Sequence, residues 1–437
     1  MANKNHIGFW SVVAIGVGGM VGGGIFAVLG LAVQLAHGGT PVGFLIGGMV
    51  ALITSYSYAR LSVKYPSRGG TVEFLNQAFG TGLMTGGLNI LLWLSYIVML
   101  SLYAYAFGSY GISLFPESYR TVLLKHLLIS FVLLSLTGLN IFGSNVIGKF
   151  EEWIVAFKIS ILLLFIGVGI WSIQGASLYP SSWSSPLWLI TGSMIIFLAY
   201  EGFELIANTA AEVDNLQKTL PRAYYSSVIF VIALYVLVST VTVGNLSIDK
   251  IVAGRDYALA ISAEPFLGRA GFTLIAIAAL LSTGSAINAT FYGASRISYI
   301  IAKDGELPEV LEHKVWNHPI EGLLITGGLT LFISNVFDLS SIAVMGSAGF
   351  LLIFAMVNIS NAKLHHETES RQWLAILGAI VCFASLGAII FQRLITSPGE
   401  VIALLVMLIL AFGIESIYRM RTGRELKSLI NKQNKTP

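Results

Sequence analysis

Charged residues are scarce along twelve long apolar runs, and that scarcity decides what this chain can fold into. The runs cover roughly residues 8–35, 41–65, 81–115, 121–143, 146–173, 186–213, 220–245, 269–302, 320–337, 339–361, 372–394 and 398–419. About 20 apolar residues let a helix cross a bilayer, whereas a barrel strand needs only about 10. No period-two alternation marks the runs. Only 11% of the 437 residues are charged and 55% are hydrophobic, where soluble domains carry about 25% charge. That leaves too little polar surface to cover a water-soluble globule of this length. The expectation is an all-α integral membrane protein of twelve spans, solvated by the lipid bilayer.

Orientation follows from the basic residues in the connections. Of the 25 lysines and arginines, 18 fall on the side that carries both ends of the chain, including Arg60, Lys64, Arg68, Arg222, Lys363 and Arg371. Six fall on the other side: Arg120, Lys125, Lys250, Arg255, Arg269 and Arg393. The bias predicts cytoplasmic N- and C-termini in a plasma-membrane protein. The first run lacks a small-residue cleavage site and reads as a retained span. Residues 249–267 are expected to form a short external helix over the bundle, and residues 420–437 a polar cytoplasmic tail.

Several function classes fall away. The net charge is +3, and no basic tract interleaved with aromatics suggests a nucleic-acid partner. Cys382 is the single cysteine, so no intrachain disulfide forms. The seven histidines lie mostly at run ends and show no metal-ligand spacing. No catalytic constellation, metal site or cofactor is expected, and the chain does not read as an enzyme. No span carries a filter-like or ring-forming repeat, which argues against a channel.

Two spans are disturbed at matching places. The first contains "GVGGMVGGGIF", residues 16–26, with six glycines in eleven residues. The sixth contains "FLAYEGFELI", residues 197–206, with Gly202 close to Glu201 and Glu204. Interrupted spans at corresponding positions of two halves point to a transporter binding site. Unwinding a helix in hydrocarbon leaves N–H and C=O groups that something must bind. A half-helix starting after Gly22–Gly24 aims its amides at an anion. Carbonyls left at the breaks can accept from an ammonium group. Together the two describe a zwitterion site, and amino acids are zwitterions. The competing explanation is close helix packing, since Gly18 and Gly22, or Gly19 and Gly23, have small-xxx-small spacing. The division expected is packing at Gly16–Gly19 and binding at Gly22–Gly24, so that Gly24→Val abolishes binding and spares folding.

Ionisable groups inside spans are costly and mark function. Lys158 lies within the fifth run. A buried lysine can lose and regain a proton, which can couple solute movement to a proton gradient; the alternative is a static ion pair or a snorkelled anchor. Glu204 reads either as a gate or proton-release group or as a structural acid. Glu201 can face the solute and favour an amine-bearing substrate, or face a water-filled cavity. Ser282 and Ser285 share one helical face, where hydroxyls suit a cation or an interhelical hydrogen bond.

Three stretches together resemble the amino acid–polyamine–organocation transporter superfamily: "GGGIF" (22–26), "YPSRGGTVEFLNQAFG" (65–80) and "AYEGFELIANTAAEVDN…LPRA" (199–223). The resemblance implies a LeuT-type fold with broken helices 1 and 6. Residues 1–173 and 186–361 would be two five-helix inverted repeats of one transmembrane domain, with two further helices over 372–419. It implies that Gly22, Gly23 and Gly24, with Ile25 beside them, bind a substrate carboxylate. Carbonyls near Met20, Leu198 and Glu201 would bind the amino group, at the Gly202 break. Tyr96 and Phe203 would border the side-chain pocket. Lys158 resembles the fifth-helix lysine of proton-coupled members, whose ammonium stands where sodium-coupled relatives hold sodium; Ser282 and Ser285 would face it. Glu204 matches a glutamate linked there to gating or protonation. The function this implies is secondary active transport of amino acids by alternating access, coupled to protons, as a monomer or homodimer. An exchanger, a cationic amine or polyamine permease, and a transporter-like sensor are the alternatives.

Overall fold

A computed structural model of the chain describes residues 7–80, 82–142, 148–303 and 320–422. The expected tail beyond Thr422 lies outside these residues. Among the described residues the chain is helical, with two isolated β-bridges, Ile7 to Val213 and His37 to Trp183. In chain order the first helices are α1 (Phe9–Met20), α2 (Gly24–Ala36), α3 (Thr40–Lys64), α4 (Thr71–Phe79), α5 (Leu83–Ser113), α6 (Val122–Phe142), α7 (Gly148–Gly169) and α8 (Pro186–Ile196). A 3₁₀ segment, Phe197–Glu212, continues α8. Then come α9 (Leu216–Asn245), α10 (Ile248–Ala253), α11 (Ala258–Lys303), α12 (Ile320–Val336), α13 (Leu339–Lys363), α14 (Gln372–Thr396) and α15 (Pro398–Thr422).

Among the described residues ten helices are long and apolar enough to cross a membrane. The pair α1 and α2, bent by 44°, adds an eleventh. At the ninth expected span stands α12, apolar but 17 residues long. Burial separates centre from periphery. In α13 and in Pro186–Glu212, 89% of the most apolar window is buried, and in α5 83%. The corresponding figures for α6, α15 and α14 are 17%, 28% and 33%. The first three build the core, and the other three present apolar faces outward, as lipid solvation requires.

The sixth span is interrupted by a change of winding rather than by a gap. From Phe197 the chain keeps turning, but with i→i+3 bonds over 16 residues. Gly202 lies where α1 crosses this segment. A Cβ on Gly202 would stand 2.3 Å from the carbonyl carbon of Gly19 and 2.6 Å from the amide nitrogen of Met20. The two backbones touch because neither residue has a side chain.

Both ends of the bundle are tied across. On the face opposite the termini, α10 and a 3₁₀ turn, Arg255–Tyr257, lie against α2. The Arg255 guanidinium donates to Gln34 Oε1 (2.9 Å). Lys125 of α6 pairs with Asp256 (2.9 Å) and stands 3.7 Å over the Tyr105 ring. Gly30 of α2 meets the Arg255 backbone so closely that a Cβ would lie 2.0 Å from its carbonyl oxygen. Below, Val33, Val243, Ile251 and Ala258 form a small apolar cluster. The single short helix expected over residues 249–267 is thus two short turns and the start of α11, which kinks at Gly268 (φ 62°). On the terminal face the Ile7 amide donates to Glu212 O (2.9 Å) and the Asp214 amide to Ile7 O (3.1 Å), fastening the start of the chain to the end of the 3₁₀ segment.

Gly202→Ala should destabilise the protein by about 1–3 kcal/mol, the usual cost of overpacking. Gly387→Ala, on α14 where a Cβ meets nothing within 4 Å, should stay within about 0.5 kcal/mol. Thermal unfolding of the two detergent-solubilised variants measures the difference.

Candidate substrate site at the bend between α1 and α2

The bend at residues 21–23 opens two sets of backbone groups in the interior of the bundle. A helix end leaves four carbonyls without intrahelical donors; at the end of α1 these are Val17, Gly18, Gly19 and Met20. The Val21 amide takes Val17 O (2.8 Å) and the Gly22 amide takes Gly19 O (3.4 Å). The other two are capped by side chains from distant helices. Lys158 of α7 donates to Gly18 O (3.0 Å), and Tyr235 of α9 donates to Met20 O (2.7 Å). The next carbonyls are capped as well, with Ser282 of α11 donating to Val21 O (3.0 Å) and also contacting Gly22 O. Gly23 O accepts from the Ala27 amide (2.9 Å). Three helices thus converge on one helix end, and each supplies a donor.

The amides are treated differently. Those of Gly23, Gly24, Ile25 and Phe26, the cap and first turn of α2, have no acceptor among the described residues. Ile25 and Phe26 are fully buried. Carbonyls satisfied and amides open, in one buried bend, give this place an excess of donors over acceptors, the polarity that suits an anion.

The second interruption is capped in the same manner. Ile195 O, near the end of α8, accepts from Ser347 of α13 (2.9 Å), and Ala199 O accepts from Tyr235 (3.3 Å). Tyr235 therefore bridges both interruptions.

The three glycines at the bend are also close-packing positions. A Cβ on Gly22 would meet Ala286 Cβ at 2.9 Å, one on Gly23 the Tyr103 ring at 2.1 Å, and one on Gly24 the Ala199 Cα at 2.8 Å. On Gly16 it would meet Ile206 at 2.6 Å. The expected division between packing and binding glycines does not hold, because both groups lie against neighbouring elements. Gly24→Val would push against backbone and disturb folding as well as binding.

The remaining expected residues fall into two groups. Tyr96 of α5 donates to Glu204 Oε1 (2.5 Å), and the Glu201 and Glu204 carboxyls lie within hydrogen-bonding reach of each other. Phe203 packs between Tyr58 (ring centroids 5.4 Å) and Phe354 (5.2 Å). Leu198 fills the space beside Gly346 of α13. Ser282 reaches the bend, whereas Ser285 is half-buried and makes no side-chain hydrogen bond among the described residues. Tyr235, Tyr103 and Ser347 contact the two interruptions, and sequence reasoning missed them. Each is an ordinary residue within an apolar run, and only the direction of its side chain gives it a role.

The profile of the family described as "Amino acid permease" matches residues 7–412. The chain belongs to the amino acid permease family. This permease is similar to an uncharacterised protein of Methanocaldococcus jannaschii, 36% identical over 97% of each chain. It is similar to the inner membrane transport protein YbaT of Escherichia coli, 33% identical over 86% of this chain and 87% of that one. The cationic amino acid transporter 3, mitochondrial, of Arabidopsis thaliana is 27% identical over 80% of the permease and 61% of its own length. The permease is thus a multi-pass membrane transporter of amino acids or related substrates.

Tyr235→Phe keeps the ring and removes the donor that Met20 O and Ala199 O share. Leaving a buried carbonyl without a partner should cost about 1–3 kcal/mol, read as a lowered unfolding temperature.

Proposed function

We propose that this permease is a proton-coupled secondary transporter that moves amino acids across the plasma membrane by alternating access. The observation that carries the reading is the asymmetry of the bend, with free amides at Gly23–Phe26 and every nearby carbonyl capped from within the protein. The amides take the substrate carboxylate, and the glycines let it approach the backbone. The amino group lies toward the carbonyls of the 3₁₀ segment. The fold is read as LeuT-type: the bend of α1 and α2 opens one five-span repeat, and the 3₁₀ segment opens a second, inverted one. Cytoplasmic termini follow from the basic residues on their side.

Lys158 supplies the coupling. Its ammonium is 1% exposed and holds Gly18 O, so it fastens α7 to the end of α1. When the proton leaves, a neutral amine remains that binds a carbonyl only weakly. Losing and regaining that proton loosens and tightens α1, which the short bend at residues 21–23 joins to α2 and its open amides. The same cation makes a sodium ion unnecessary at this place.

Uptake into proteoliposomes under an imposed pH gradient tests this. Wild-type protein should accumulate substrate when the outside is acidic, without sodium. Lys158→Ala should lose the gradient-driven component of uptake, leaving the same rate with and without the imposed pH gradient. Full gradient-driven uptake by that variant, or uptake that requires internal substrate, would replace symport by another mode.

A further inference from the structure

Two carboxyl groups are buried in the middle of the bundle without a cation. Glu201 is 3% exposed and Glu204 1%. Among the described residues neither joins an ion pair. Their contact follows from the local winding. In a 3₁₀ helix, side chains three apart eclipse, so Leu198, Glu201 and Glu204 form one row along Phe197–Glu212. Tyr96 donates to Glu204 Oε1 (2.5 Å). Glu204 Oε2 is buried and has no ordinary donor, and the Glu201 carboxyl lies within hydrogen-bonding reach. A hydrogen bond between two carboxyls needs one proton between them. The titratable groups facing the pair are all phenols: Tyr58 of α3, Tyr96 and Tyr103 of α5, and Tyr224 of α9. None can neutralise a carboxylate by its own charge.

The row adjoins the amide site. Ala199, two residues before Glu201, is the backbone that Gly24 touches, and the ring that covers Gly23 belongs to Tyr103. Tyr103, whose ring stands over Gly23, also faces Glu201, so a substrate whose carboxylate rests on the α2 amides and whose side chain passes this ring would meet the acidic row.

We propose that the Glu201–Glu204 pair reads the substrate side chain by exchanging its shared proton for the cationic end of a basic amino acid. With a neutral side chain bound, the pair keeps its proton. With an ammonium or guanidinium group bound, that proton leaves to water and both carboxylates face the cation. One positive charge replaces another, so the net charge of the site stays constant. The inference rests on the reading of the bend as an amino acid site.

The test compares lysine with norleucine, which matches its chain length and lacks the terminal charge. Isothermal titration of the purified permease in nanodiscs, run in two buffers of different ionisation enthalpy, counts protons released on binding. About one more proton should leave per lysine than per norleucine. By linkage, the lysine-to-norleucine affinity ratio should rise up to about tenfold per pH unit, any proton linkage through Lys158 being common to both. In Glu201→Gln the excess release should disappear, and the lysine-to-norleucine affinity ratio should fall about tenfold; Glu201→Asp should restore both. Taking the ratio within one protein removes general effects of the substitution. Lysine binding with no more proton release than norleucine, or an unchanged ratio in Glu201→Gln, overturns the proposal. Norleucine binding with lysine refused overturns it too and leaves the amino acid reading standing. Failure of both amino acids to bind overturns that reading itself.

Discussion

Backbone groups exposed in hydrocarbon have to be bonded, and this constraint organises the centre of the molecule. The glycines that end α1 near mid-span release a set of carbonyls, each costing several kcal/mol if left alone. Lys158, Tyr235 and Ser282 come from α7, α9 and α11 to meet them. Those three helices are positioned by what they must reach. The bend is therefore a hub where four spans are cross-linked by polar contacts in otherwise apolar surroundings. Such contacts specify register more sharply than apolar packing does, because a misplaced donor leaves a carbonyl bare.

The amides on the other side of the bend receive no such help. The protein satisfies one polarity of its broken backbone and leaves the other open, and the proposed binding site rests on that inequality. The acidic row follows the same logic. An α-helix through Phe197–Glu212 would keep Glu201 and Glu204 on one face but about 60° apart around the axis. The tighter winding brings them into one line, where two acids act together.

The helical architecture was legible because apolar length is a one-dimensional signal. Spans such as α5 and α13 needed only counting, and the bend was visible as an excess of glycine. Side-chain direction was not legible. Tyr235 sits in "IALYVLVST" with nothing to separate it from a lipid-facing or core aromatic. The eclipsed acids were hidden because α and 3₁₀ windings share the same composition. The glycines of the first span were read as two functional groups, yet Gly24 is as tightly packed as Gly16. A missing Cβ serves contact and ligand access alike, and sequence carries no mark to divide them.

The meeting of Gly30 with the Arg255 carbonyl works as a key in a lock. At that distance the surface of α2 offers one groove, one glycine wide, for the turn to occupy. Rolling α2 about its own axis would bring a neighbouring side chain under Arg255, and no space exists for one. The half-helix that presents the open amides is thus held in rotation as well as in tilt while the turn rests on it. An outward swing of α2 that left the turn behind would first have to break the hydrogen bond from Arg255 to Gln34.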